Sequence, residues 1–98
     1  MLFRSLGLRP GGKEMVGAAV AEQTEQAMQN LRAILEEAGS GLDKLVKTTV
    51  FLQNLDDFAA MNEVYAAHVG DSPPARSTVE VAKLPSGALV EIEAIAVL

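Results

Sequence analysis

The chain has no cysteine, no tryptophan and one histidine, and aromatic residues make up only 4% of its 98 positions. Without cysteine there is no disulfide, no thiol nucleophile and no thiolate metal ligand. A lone histidine, His68, argues against a protein-only zinc site. No apolar run approaches the roughly 20 residues of a membrane-spanning helix. Positive charge is also scarce, and the formal net charge is −5. Nucleic-acid binding normally needs a basic face, and this composition offers none. The expected setting is reducing, cytoplasmic or else mitochondrial, with no nucleic-acid or membrane partner.

The rest of the composition is that of an ordinary globular protein, 49% hydrophobic and 21% charged, which argues against disorder. The length suits one domain, residues 1–98. Its core is modest, so association with copies of itself would add stability. Arg4, Arg9 and Lys13 all precede the first acidic residue, and the remainder is correspondingly more acidic than the whole. The apolar part of this basic start is too short for a secretory peptide. The stretch is read as a solvated, partly frayed terminus.

Residues 1–15 read as a broken strand followed by a turn at Pro10-Gly11-Gly12-Lys13. Residues 18–38 read as an amphipathic helix, with Val20, Ala27, Leu31, Ile34, Leu35 and Ala38 at helical spacing and Thr24 on the same line. Gly39-Ser40-Gly41 ends it. Residues 44–53 are rich in Thr, Val and Phe and read as a strand, with Val46, Thr48, Val50 and Leu52 on one face. Residues 55–69 read as a second helix, capped by Asn54 and stopped by Gly70, with Phe58, Met61, Tyr65 and His68 in one stripe. Residues 76–84 and 88–98 read as two strands joined by a turn at Pro85-Ser86-Gly87. This order implies an α+β fold with both helices on one face of a mixed sheet. The other sheet face is largely apolar in sequence, as if a partner covers it.

Gly39-Ser40-Gly41 lacks the Gly-Lys-Ser/Thr ending of a phosphate loop. His68 stands near Asp71, but a histidine at a helix C-terminus is expected to complement the helix dipole. Two features invite chemistry. Arg76 opens a strand, and Glu91 and Glu93 interrupt an apolar one. Acids in that setting face solvent or serve a site or interface. If the last two strands form a hairpin, Glu91 opposes Val81 and Arg76 opposes Ala96. Arg76 and Glu91 then lie roughly 17 Å apart along it. One small ligand could meet both only if they came from two subunits.

A longer series carries a resemblance. It runs Lys47-Thr-Thr-Val-Phe-Leu52, Asp57-Phe58, Asn62-Glu-Val-Tyr65, Pro74-Ala-Arg-Ser77, Val79-Glu-Val-Ala82, Leu84-Pro85 and Glu91-Ile-Glu-Ala-Ile-Ala96. Gln23-Thr24, Gln26 and Asn30-Leu31 extend it into the first helix. In this order and spacing the chain resembles the RidA/YjgF family of 2-iminobutanoate/2-iminopropanoate deaminases. The resemblance implies a chorismate-mutase-like fold assembled as a homotrimer, with ligand sites between subunits. It implies hydrolysis of 2-imino acids or their enamine tautomers to 2-oxo acids and ammonia, with no cofactor and no metal. By matching to the family, Glu91 is the catalytic, water-handling acid and Arg76 the carboxylate anchor. Asn62 and Thr78 match positions near the cleft, and Glu93 is the structural member of the glutamate pair. Two other readings compete: a non-enzymatic member that binds small ligands or proteins, and a ribonuclease or translation inhibitor.

The sequence departs from the family at its start. Members normally carry an opening strand with a Gly-Pro-Tyr segment, and a Ser-Gly-Gln triplet closes the second strand. Phe3-Arg4-Ser5 stands where that triplet belongs. The chain is therefore expected to lack the family's first strand, as in an N-terminally shortened form. Losing an edge strand exposes unpaired backbone groups, so lower stability, weaker imine hydrolysis and impaired trimerisation are expected. Purified chain that runs as a monodisperse trimer with full imine-hydrolysis rates would refute this.

Overall fold

The computed structural model describes residues 2–11, 14–71 and 73–98. Strand β1, Leu2–Leu6, pairs antiparallel with β4, Val90–Ala96. Helix α1, Val20–Glu37, follows. Strand β2, Leu45–Leu52, leads through a short 3-10 turn at Leu55–Asp57 into helix α2, Phe58–Val69. Strand β3, Ala75–Glu80, lies parallel to β2. The sheet order is β1-β4-β2-β3. This is the expected α+β fold, a mixed four-stranded sheet carrying two helices.

Alternation along the strands decides what the helices cover, because successive side chains point to opposite faces. Phe3, Ser5, Thr48, Val50, Leu52, Val90, Ile92, Ala94 and Ala96 are buried on one face. Helix α1 supplies Val20, Ala27, Met28, Leu31 and Leu35 to the same core, and α2 supplies Met61 and Tyr65. Tyr65 reaches the sheet through its hydroxyl, 2.7 Å from Thr48 Oγ1. That bond lets two buried polar groups satisfy each other. The opposite face carries Leu2, Ile95 and Val79, all more than 40% exposed, among the charged Arg4, Lys47, Glu91 and Glu93.

Three expectations need correction. The strands at 76–84 and 88–98 do not form a hairpin. Strand β2 lies between them, with Thr48 in register with both Arg76 and Ala94. Gln53 lets the chain cross the end of β2. Its backbone N–H donates to Leu89 O at 3.0 Å, its side chain donates to Ala82 O at 2.9 Å, and its Oε1 accepts from Leu84 N at 3.2 Å. Turn chemistry at Pro85–Gly87 is real, with Ser86 and Gly87 both at positive φ, but it shapes a crossing rather than a hairpin. Second, Val46 is 52% exposed instead of facing the core. The β2–β4 register shifts between Leu45 and Lys47, and such a shift turns the extra residue out of the alternation. Third, the basic start is not a frayed end, since Leu2–Leu6 is a paired strand. Gly12 and Lys13 of the turn expected there lie outside the described residues, as do Met1 and Ser72.

The junction of β1 with α1 is tight. Gly7 is buried, and a Cβ there would stand 2.7 Å from both Cα and O of Gln23. Gln23 is itself fixed, donating to Gly17 O at 2.8 Å and accepting from Leu89 N at 2.8 Å. Gly7→Ala is therefore expected to cost about 1–3 kcal/mol, read as a lower urea midpoint at unchanged slope. An unchanged midpoint would contradict this packing.

Candidate functional site

Helix α2 packs its first turns against the start of β3, because the parallel β2–β3 pair must be joined by a crossover. Residues 58, 62 and 65 fall on one helical face. Phe58, Asn62 and Tyr65 there meet Arg76. Arg76 Nη1 donates to Asn62 Oδ1 at 2.5 Å, and the guanidinium carbon lies 4.8 Å from the Tyr65 ring centre and 5.3 Å from that of Phe58. Aromatic rings hold a guanidinium through their negative faces without consuming its donors. Asn62, Tyr65, Ala66, Pro73, Pro74 and Arg76 border a cavity of about 350 Å³. Thr78 lies two residues on, on the same strand face as Arg76. Its Oγ1 is buried and has no hydrogen-bond partner among the described residues. Arg76 and Asn62 are thus brought together, while Thr78 stands on the same strand face but outside the residues that border the cavity. The arrangement can hold a carboxylate, with Arg76 as a fork-shaped donor.

Glu91 is elsewhere. It is in register with Phe51 and Val79, whereas Arg76 is in register with Thr48. The two therefore stand on opposite faces of the sheet, with β2 between their strands. The Glu91 side chain is 12% exposed, and its nearest cation is Arg4, with Nη1 3.9 Å from Oε1. Arg4 binds Glu93 more closely, through Nε and Nη2 at 3.0 Å each. Glu91, Arg4 and Arg9 border a second cavity of about 480 Å³, walled by Leu6, Asn30 and Ile34. A mostly buried carboxylate at the wall of such a cavity can orient or deprotonate a water. Among the described residues there is no group of three or more His, Asp and Glu that could hold a metal ion, and no helix long and apolar enough to cross a membrane.

The sequence reading missed Arg4, Phe58 and Tyr65 around these groups. The 58, 62, 65 spacing carries the signal for the aromatic pair, but a stripe at that spacing is usually core. His68 does more than face the helix dipole. Its Nε2 lies 2.9 Å from Glu25 Oε1, which ties α2 to α1.

A family model described as endoribonuclease L-PSP matches residues 5–98. A RutC family protein of Pyrococcus abyssi is 52% identical over 89% of this chain and 68% of its own length. A mouse protein named 2-iminobutanoate/2-iminopropanoate deaminase is 46% identical over 94% of this chain and 68% of its own length. The structure of Escherichia coli TdcF with bound serine superposes with a TM-score of 0.88 at 38% identity, covering 98% of this chain and 77% of that one.

The His68–Glu25 pair has a pH signature. The hydrogen bond from His68, then that from Gln29, holds the Glu25 carboxyl below its ordinary 4.5. A depressed folded-state value contributes stability above the unfolded value, and that stability is lost as pH falls through the folded one. The Glu25 side chain is 46% exposed, so screening keeps the effect small. Glu25→Gln should flatten the fall of the urea midpoint from neutral pH down to about pH 3. A variant whose midpoint falls in parallel with wild type would contradict this role.

Proposed function

The chain belongs to the endoribonuclease L-PSP (Rid/YjgF) family, and on that premise we propose that it hydrolyses 2-imino acids to 2-oxo acids and ammonia. The cleft is shared between copies of the chain in a homotrimer, one contributing Arg76 and the next Glu91. The observation that carries this reading is Arg76. It is stacked on Tyr65, tied to Asn62 and set at the wall of a cavity, with donors left for a carboxylate. Thr78, two residues along the same strand face, has a buried hydroxyl without a partner among the described residues and backs the site rather than lining its cavity. The placement of Glu91 on the other sheet face supports an intersubunit site, since one small molecule cannot touch both faces of one sheet.

In this mechanism Arg76 anchors the substrate carboxylate as a bidentate pair. Glu91 takes a proton from water as the oxygen attacks the C=N carbon. A C–O bond forms and the nitrogen becomes an amine. Glu91 returns that proton to the nitrogen, which completes a neutral carbinolamine. Glu91 then carries the hydroxyl proton to the amine, and as the C=O forms the C–N bond breaks and ammonia leaves with the 2-oxo acid behind. The name of the mouse relative favours this reaction. The serine bound to TdcF favours a cleft that accepts small amino-acid-like molecules, which a purely binding member would share. An acidic chain whose single histidine is engaged with Glu25 does not favour the ribonuclease reading.

The test couples a threonine dehydratase to release of 2-oxobutanoate and ammonia, with and without the protein. Wild type should accelerate release, and Arg76→Ala should lower kcat/KM roughly 10- to 100-fold. A folded, trimeric wild type that gives no acceleration would overturn the enzymatic reading in favour of binding.

A further inference from the structure

We infer that the Glu91 side of the cleft receives the substrate's side chain and that Arg9 selects an anionic one, so that the preferred substrates are 2-imino acids with a second carboxylate. The inference rests on the imine-hydrolase reading of the site and adds the substrate class. It starts from the basic stretch at the front of an otherwise acidic chain. Two of its cations, Arg4 and Arg9, border the cavity of about 480 Å³ that also exposes Glu91.

The two arginines differ in what they already hold. Arg4 is committed, with Glu93 at 3.0 Å and Glu91 at 3.9 Å. Arg9 has no carboxylate within ion-pair distance among the described residues. Its guanidinium contact is a long one, Nη2 donating to Val16 O at 3.4 Å. In a chain of net charge −5, an arginine left without an acid beside a cavity is an anion receptor in waiting.

Its position is built rather than incidental. Arg9 N donates to Glu14 O at 2.8 Å and Val16 N to Gly7 O at 2.8 Å, closing the turn that the Leu8–Met15 bridge begins. Asn30 of α1 then pins this segment from behind, its Nδ2 donating to Leu6 O at 2.9 Å and Leu8 O at 2.8 Å. Gln26 orients Asn30 by donating to its Oδ1 at 2.9 Å. The segment is thus held at its base, with Arg9 among the residues that border the cavity. Leu6, Leu8 and Ile34 line the space beside it, apolar surface suited to the methylenes of a short acidic side chain.

The experiment uses product analogues and calorimetry. 2-Oxoglutarate carries the second carboxylate and 2-oxobutanoate does not. Wild type should bind 2-oxoglutarate roughly three- to tenfold more tightly. Arg9→Gln should remove that difference, and Arg9→Lys should restore part of it. Equal binding of the two by wild type, or a difference that survives in Arg9→Gln, would overturn the inference. Arg76→Lys separates that failure from failure of the site itself. If the variant weakens both oxo acids, the site reading stands whatever Arg9 does. If it weakens neither, the carboxylate anchor is wrong and both proposals fall.

Discussion

The position of β2 governs the rest of the structure. It lies between β3 and β4, parallel to one and antiparallel to the other. The parallel pairing requires a crossover, and α2 is that crossover. Helix α2 therefore lies over the start of β3, which brings Asn62 and Tyr65 to Arg76. The same register fixes Thr48 opposite both Arg76 and Ala94. Glu91 is three residues from Ala94, and an odd separation along a strand means the opposite face. One pairing choice thus assembles Arg76 with Asn62 and Tyr65 and keeps Glu91 away from them within a chain.

Polar side chains make that arrangement affordable in backbone terms. Gln53 meets the hydrogen-bonding needs of the segment that rounds the end of β2. Gln23 does the same where the start of α1 meets Leu89, and Asn30 where α1 meets the turn after β1. Each replaces pairing that a regular strand would supply. These side chains connect parts of the chain that are distant in sequence, so their removal would loosen the site's walls before it emptied the core. The charged pairs act at longer range. Arg4 gathers Glu93 and Glu91 on the uncovered face, and His68 joins the helices through Glu25.

Much of this was legible in the sequence. The 3.6-residue spacing of Val20, Ala27, Leu31 and Leu35 marks the buried face of α1, and the alternation of Val90, Ile92, Ala94 and Ala96 marks that of β4. Glycines at 39 and 70 end the helices at positive φ as expected. Strand adjacency was not legible. A turn between two strand-like runs looks the same whether the runs pair or straddle a third strand, so the hairpin expectation failed while both strands exist. Met28 and Gln23 were passed over for burial, and Ile34, expected inside, is 41% exposed. Periodicity gives a stripe, and its edges depend on neighbours that only the fold supplies. Arg76 and Asn62 stood out through the family resemblance, and the structure adds the two rings that hold the guanidinium. Arg9 could not be singled out, because its interest lies in lacking an acid that only three dimensions could have provided.

A single active cleft that draws Arg76 from one copy of the chain and Glu91 from another is the central proposal. Subunit mixing tests it directly. Arg76→Ala and Glu91→Gln should each lose most of the activity alone. Mixed in equal amounts under conditions of subunit exchange, they should form some clefts in which both native residues meet. Random mixing in a ring of head-to-tail contacts would restore about a quarter of wild-type activity. Confirmed exchange with no recovery would show that both residues must belong to one chain, or that the pair is not the site.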